Sequence, residues 1–281
     1  MTLPNMIRPV LALLLAAAAP AAAQDATEGG VKAPPPATAP KADSWAGLYA
    51  GVSLGGKVAS NQWTTTSIYH QGLGGLSGID QTAERLFGGA GLRAGGYAGY
   101  NVRLAPLIIA GIEADLAYSD HKEHSAGIPG CTIECWPGVP GPQQSASSVA
   151  DYWDGSVRGR LGYLLTPTAL LYGTGGVAWQ SLRATASCIH NPPDPFCLLL
   201  PGNPPSQAAV SSTRLGWTAG VGLDWKLATN WIARVEYRYS DFGTQSGLLD
   251  LTAPGTRDWL TYRLDSSTQI VTVGLAYRFG S

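Results

Sequence analysis

Apolar and polar side chains alternate along residues 215–239 with a period of two, broken only by a short link at 226–230. Successive side chains of a β-strand point to opposite faces of a sheet, so this period predicts two strands joined by a tight turn. One face of both strands is aliphatic, with Trp and Tyr near the ends. The other face carries glycines and charges of both signs, including Asp224, Arg234 and Glu236. We therefore expect an antiparallel hairpin with one apolar and one ionic face.

The same alternation recurs along the chain and predicts six further strands. The fifth strand in chain order is apolar on both faces, so the direction in which each of its faces points stays open. The six segments are residues 47–58, 91–103, 107–119, 151–164, 168–181 and 268–279.

The links between the eight predicted strands alternate in length. Those after strands two, four and six have a few residues, whereas the others have roughly 25 to 32, as the surface loops of outer-membrane barrels do. A soluble sandwich has no reason to place every long loop at one end. The order therefore predicts an all-β fold: an eight-stranded antiparallel up-and-down transmembrane β-barrel with long extracellular loops and short periplasmic turns. The long links are residues 59–90, 120–149, 183–212 and 241–267.

Aromatic residues end the predicted apolar faces at both rims of the barrel. Trp and Tyr number 9 and 12 against 4 Phe, and their amphipathic rings suit a membrane–water boundary. We expect two aromatic girdles around an aliphatic band. The girdle at the long-loop rim comprises Tyr118, Trp217, Tyr237 and Tyr239. The girdle at the short-turn rim comprises Tyr100, Tyr163, Trp225, Trp231, Tyr277 and Phe279.

The polar faces of the strands would line the barrel interior. An eight-stranded barrel is just wide enough inside for side chains, and buried ions need partners. We therefore predict a charge network that plugs the lumen instead of a wide channel. The alternative is an enzyme in which Glu113 and Asp115 act as paired acid and base carboxylates. The predicted lumen network is Arg93, Glu113, Asp115, Arg158, Arg160, Asp224, Arg234, Glu236 and Arg238.

Composition and the N-terminal region narrow the class of protein. A net charge of −1, with 13% charged residues, gives no electrostatic case for a nucleic-acid partner. Residues 1–23 have a positive start, an apolar middle and small residues at the end, which is typical of a signal peptide. Residues 24–44 are rich in Pro and Ala and indicate a linker, so the barrel domain is predicted over residues 45–281.

The histidines and cysteines fall in the predicted loops. Four cysteines form two local pairs in an exported, oxidising compartment, so we expect disulfides whose connectivity stays open. His121 and His124, near the first cysteine pair, also suit a metal or haem site, which we rank below a disulfide-closed loop. The cysteines are Cys131, Cys135, Cys188 and Cys197, and the histidines are His70, His121, His124 and His190.

Catalytic signals are missing from the sequence. It contains no GxSxG, HExxH or P-loop motif, and none of the histidines lies on a predicted strand beside a lipid-facing serine. We therefore expect a protein that is not an enzyme and that carries no cofactor.

Several strand segments resemble the small outer-membrane β-barrel proteins of Gram-negative bacteria, which include the OmpA-like transmembrane domain and the outer-membrane immunogenic, porin-like proteins. They are WAGLYAGVSLGG at 45–56, GIEADLAYSD at 111–120, VRGRLGYLLTPTALLYGTGGVAW at 157–179, GWTAGVGLDWKLATNWIARVEYRYSDFG at 216–243 and VGLAYRFGS at 273–281.

This resemblance implies a location in the cell outer membrane, with both termini periplasmic. The implied partners are outer-membrane lipid and lipopolysaccharide, the barrel-assembly machinery and a possible host or surface ligand. It implies a porin-like structural protein that supports envelope integrity and has at most a narrow pore. The alternative is an adhesin, surface binding protein or haem binder that acts through its long loops. A soluble periplasmic barrel is the third possibility.

Overall fold

The computed structural model describes residues 45–70, 75–76, 79, 83–130, 145–188, 206–252 and 257–279. Eight long strands make up nearly all of these residues. A two-residue strand, Gly75–Leu76, pairs with the end of the first long strand. The long strands are β1 (Gly47–His70), β2 (Glu84–Ala105), β3 (Ile108–Ala126), β4 (Ser145–Thr166), β5 (Ala169–Cys188), β6 (Ser206–Lys226), β7 (Trp231–Asp250) and β8 (Asp258–Arg278).

The strands form a closed antiparallel ring. Each long strand pairs with its neighbours in sequence, and β1 also pairs with β8 along most of its length. Val52, for example, lies opposite Gly96 of β2 on one side and Leu275 of β8 on the other. In the half next to the short turns this closure leaves no unpaired edge, which an open sheet in lipid would have. Beyond that half, the pairing between β2 and β3 ends at Arg93 and Ser119, and the pairing between β6 and β7 ends at Trp217 and Asp241. The predicted eight-stranded up-and-down barrel is confirmed. Within the described residues, no helix is long and apolar enough to cross a bilayer.

The strands are nearly twice as long as the alternation predicts. β1 has 24 residues and the shortest long strand, β3, has 19. Much of each predicted long loop is therefore strand, so the loop boundaries given above are wrong. The links after β2, β4 and β6 are short, as predicted.

The half of the barrel next to the short turns is apolar outside. Val52, Leu92 and Val273 on its outer face are 66, 74 and 56% exposed. β5 fits this arrangement, because Leu170 and Tyr172 are buried inside while Leu171 is exposed outside. The outward residues of both predicted girdles are also exposed, apart from half-buried Tyr239. Trp153 contacts Tyr118 in the girdle at the long-loop rim, which we call the upper girdle. This half presents the lipid-facing surface that the sequence predicts.

The half of the barrel next to the long loops has the opposite arrangement. Its outward positions are mostly polar, as at Gln62 and Arg263, with exposed Leu86 and Leu248 as exceptions, while apolar side chains fill the interior. We call this interior cluster the upper core. Its buried members are Trp63, Ile68, Phe87, Ile128, Val149, Leu182, Ala184, Ala186, Ala208, Leu249, Leu251, Leu260, Tyr262 and Leu264.

A second apolar cluster, the lower core, fills the interior at the short-turn end. Trp45 anchors it, because its indole N–H donates to the carbonyl of Pro167 at 3.1 Å. The lumen thus has apolar clusters at both ends and a polar middle. The lower core comprises Trp45, Tyr49, Tyr97, Ile109, Leu164, Leu170, Ile232 and Ala276.

Candidate functional site: the filled lumen

Twelve buried side chains form one connected ion network across the middle of the lumen. Six are cations and six are carboxylates, so the formal charges cancel when all are ionised. All nine residues of the predicted network belong to it. They are joined by Lys57, Asp151 and Asp154, which the sequence prediction leaves out. Arg103, on the same face of β2, lies instead near the short-turn rim and donates to the carbonyl of Pro106.

Glu113 of β3 is the central acceptor of the network. Its two carboxylate oxygens receive Arg158 at 2.7 Å and Arg234 at 2.6 Å, and the hydroxyl of Tyr49 donates to it at 2.7 Å. Three different strands besides β3 therefore converge on one carboxylate. Such convergence is required, because a buried carboxylate without partners is strongly destabilising.

Asp115, two residues further along β3, is held in the same way. Arg93 donates to one oxygen at 2.6 Å and Arg238 to the other at 2.7 Å, and the hydroxyl of Ser156 also donates to it. Glu113 and Asp115 are therefore each engaged by two arginines and one hydroxyl. An acid or base catalyst needs a carboxyl that can exchange a proton with a substrate, and these contacts occupy both groups with protein donors.

The network extends to the opposite wall through β6 and β7. Asp224 accepts from Arg160 at 2.8 Å and from Arg234 at 2.7 Å. Glu236 accepts from Arg158 at 2.6 Å and from the hydroxyl of Tyr172 at 2.9 Å.

Aromatic rings also contact the arginines of the network. The guanidinium of Arg160 lies 4.0 Å from the centre of the Tyr172 ring, and that of Arg234 lies 4.4 Å from the Tyr97 ring. Cation–π contacts of this kind stabilise a desolvated guanidinium.

Glycines on the inner wall leave room for the tyrosines of the network. A Cβ added at Gly99 would collide with the Tyr49 hydroxyl, and one added at Gly222 would collide with the Tyr172 ring. The absence of a side chain at these two positions lets the hydroxyl end of each ring approach the wall closely. Each hydroxyl can then reach its glutamate.

Lys57 is the part of the network that sequence reasoning missed. Its ammonium donates to Asp151 at 2.6 Å and Asp154 at 3.3 Å, and both Lys57 and Asp151 are fully buried. The alternation along predicted strand one already places Lys57 on the inward face, so the sequence contained the signal needed to include it in the network. Asp154 likewise has the inward parity of predicted strand four, whereas Asp151 was harder to place, because an irregularity in β4 between the two aspartates shifts the alternation. Side chains of opposite parity therefore point to the same lumen.

His121 and His124 both lie in β3, so their assignment to a loop is wrong. His121 faces the lumen, where its Nδ1 lies 3.0 Å from Asp151. His124 is exposed and points outward. Because the two side chains lie on opposite faces of one strand, they cannot bind the same metal ion or haem iron.

The cysteine and N-terminal predictions fall on parts of the chain that are not described. Cys131, Cys135 and Cys197, together with residues 1–44, lie outside the described residues. Cys188 ends β5, but its side chain is likewise not described. The disulfides, the signal peptide and the linker therefore stay predictions.

A closed barrel with a lipid-facing band and an ionic lumen agrees with the comparison with known proteins. The sequence matches the family described as outer membrane protein beta-barrel domain over residues 10–279. The chain belongs to this family. Its location is accordingly the outer membrane.

Several named relatives of this barrel protein come from Brucella. The 25 kDa outer-membrane immunogenic protein of Brucella abortus is 30% identical over 270 residues, which cover 96% of each chain. The 31 kDa outer-membrane immunogenic protein of Brucella melitensis is 29% identical over 243 residues, which cover 84% of each chain. Among solved structures, the outer membrane protein OprG from Pseudomonas aeruginosa has a TM-score of 0.47 at 13% identity and covers 84% of this chain and 97% of its own.

Proposed function

We propose that this protein is a structural outer-membrane barrel that contributes to envelope integrity and conducts small solutes poorly or not at all. The observation that carries the proposal is the filling of the lumen at three levels. The lower core, the ion network and the upper core follow one another along the interior. In this arrangement a solute would have to separate paired ions and packed rings before it could pass.

The proposed orientation has the short turns and both termini in the periplasm. The short links lie at one rim and the longer links at the other, which is the usual asymmetry of outer-membrane barrels. This orientation places the upper half of the barrel, with its polar outer face, outside the cell. Protease treatment of intact cells tests it: added proteinase K, which cuts without a requirement for Lys or Arg, should cleave the links of the long-loop rim and leave the short turns intact.

The lumen contacts favour a protein without catalytic activity. Glu113 and Asp115 were the best acid and base candidates, and arginines hold both. The proposal therefore assigns these carboxylates to folding stability.

A surface binding function is the second candidate, and the length of the strands favours it. β8 continues from the upper girdle near Gln269 to Asp258, and β1 continues to His70. Strands rise about 3.3 Å per residue and tilt by about 40°, so the loops begin roughly 25 Å beyond the girdle. A rigid, internally packed extension of this height suits the display of loops to a host or surface ligand.

One complementation experiment separates the two functions. A strain that lacks the protein is complemented with the wild type or with a variant in which residues 131–144 and 189–205 are replaced by short Gly/Ser linkers. A structural role predicts that both restore resistance to detergent. A binding role predicts that the variant restores resistance but loses adhesion to host surfaces. Wild-type protein that shows large, stable conductance steps in planar bilayers would contradict the sealed lumen.

A further inference from the structure

A groove of about 290 Å³ runs along the outer face of β4 beyond the upper girdle. Its floor is made of small side chains that point outward and are nevertheless buried: Ser148 and Ala150 are only 6% and 2% exposed. Longer side chains on the two neighbouring strands overhang them. The groove is therefore formed by a row of small residues between two taller rows.

The strand register fixes the walls of the groove. Lys122 of β3 lies opposite Ala150, and Ala150 lies opposite Arg183 of β5. In the next row, Ser148 lies between His124 of β3 and Thr185 of β5. Residues opposite one another on paired strands point to the same face, so these side chains surround one space.

The groove is basic and has no acidic residue in its lining. The side chains of Lys122, His124 and Arg183 are exposed, and none of them makes a hydrogen bond or ion pair within the described part of the chain. Glu123 has the inward parity of β3, and Asp120 lies two residues before Lys122, towards the girdle and outside the lining. The hydroxyls of Ser148 and Thr185 add neutral donors. This combination suits a compact anion with several acceptor oxygens, such as a phosphate.

The position of the groove indicates where that phosphate comes from. Tyr152 lines its lower end, and the Tyr152 ring stacks on Tyr118 with centroids 6.3 Å apart. Tyr118 in turn contacts Trp153 of the upper girdle at 5.2 Å. A girdle of this kind lies at the membrane–water boundary, where lipid headgroups are found. The groove thus opens sideways at headgroup level.

We propose that this groove binds a phosphate on the saccharide headgroup of outer-leaflet lipopolysaccharide. Lys122 and Arg183 contact the phosphate from two sides, while Ser148 and Ala150 let the headgroup approach the sheet. The inference rests on the proposed orientation, with the long-loop rim outside the cell. Its test uses purified protein, so an inverted orientation would not affect the binding result.

The experiment titrates the purified full-length protein in detergent with bisphosphorylated lipid A and with chemically dephosphorylated lipid A. The double variant Lys122→Gln/Arg183→Gln should weaken binding of the phosphorylated lipid by about tenfold or more, because it removes two charge-assisted contacts. Ala150→Met should weaken it similarly by filling the floor without a change of charge. The matched control is Arg263→Gln, which removes an exposed arginine from the outer face of β8 and should leave binding unchanged.

Heat-modifiable migration on a gel shows that each variant is folded. Equal binding of the phosphorylated and dephosphorylated lipids would overturn the proposal, as would an equal loss in Arg263→Gln. Competition by inorganic phosphate at the same concentration as lipid A would assign the groove to the free ion and would also overturn it. Unchanged binding by both groove variants, in folded form, would rule out this groove as the lipid site.

Discussion

Glu113 and Arg234 face each other across the lumen, with Oε2 and Nη1 2.6 Å apart and a sequence separation of 121 positions. This pair links β3 to β7, which are not neighbours in the barrel wall. The contact therefore supports the wall from inside, in addition to the backbone pairing of adjacent strands. Because every member of the ion network has partners on other strands, loss of one charge should destabilise several strands of the barrel.

The first prediction concerns Glu113→Gln. The substitution keeps the size of the side chain and removes the charge that pairs with Arg158 and Arg234. Leaving buried charges uncompensated costs about 3–5 kcal/mol, so the temperature at which the folded gel band disappears should fall markedly. The control is Glu84→Gln, at an exposed position of β2, which should leave that temperature unchanged. If both variants melt like the wild type, the ion network does not stabilise the barrel.

The second prediction concerns the space reserved for Tyr172. Gly222→Ala places a Cβ against the Tyr172 ring and should displace its hydroxyl from Glu236. Forcing an extra methyl into a packed interior costs about 1–3 kcal/mol, measurable as a lower urea midpoint in detergent. Gly159→Ala is the matched control, since its nearest neighbour would be a backbone oxygen at 3.8 Å. Equal midpoints for the two variants would show that the wall can yield at Gly222.

The lower half of the barrel could be predicted because one rule governs it: its apolar side chains mostly face outward and its ionic side chains face the lumen. At Val273 and its outward neighbours the apolar side chain faces lipid, and at Arg234 and Glu236 the ionic side chain faces the lumen. A period of two then reveals both the strand and its orientation. β5 resisted this reasoning because Leu170 and Leu171 are both apolar, one facing the lower core and the other facing outward.

The upper half could not be predicted because the rule reverses there. Trp63 and Leu264 point inward to the upper core, while Gln62 and Arg263 point outward. A strand that crosses the membrane is expected to have an apolar outward face. The upper stretches are instead polar outside and rich in Gly and Ser, so their composition indicated loops. Asp151 near Lys57 was missed for a related reason, since the irregularity in β4 changes the parity of the strand between Asp151 and Asp154.

The third prediction tests which face meets lipid. Val273 lies midway along the apolar band of β8 and is 56% exposed. An arginine on the lipid face costs about 2–4 kcal/mol at the middle of the bilayer and much less near the interface. Val273→Arg should therefore reduce the folded fraction in lipid vesicles. Gln62→Arg introduces the same side chain on the outer face beyond the girdle and should fold as the wild type does.

Equal folding of the two arginine variants would contradict the assignment of the bilayer to the lower half. The reverse ranking, with Gln62→Arg the more damaging, would place lipid around the upper half instead. Folding yields measured in vesicles of two thicknesses sharpen the comparison, because only a residue in the hydrocarbon region should respond to thickness.

The fourth prediction concerns the independence of the upper core. Trp63 is fully buried and stacks on Tyr262 with ring centroids 4.4 Å apart. Trp63→Ala should cost about 3–5 kcal/mol through lost burial and a cavity. The lipid-facing half keeps its own ion network, so the loss should appear as local opening of the upper strands. Limited trypsin digestion should then cut at Arg85 and Arg263 while the remaining barrel still migrates as a folded band.

Trp217→Ala is the control for this prediction, because it removes a tryptophan of the upper girdle that is 54% exposed on the outside of the barrel. It should leave trypsin resistance intact, since no interior packing is lost. Complete loss of the folded band in Trp63→Ala would mean that the two halves unfold as one unit. Full resistance to trypsin would mean that the upper strands are held by their backbone pairing alone. Cleavage confined to the upper strands is the outcome expected if the ion network stabilises the lower half without help from the upper core.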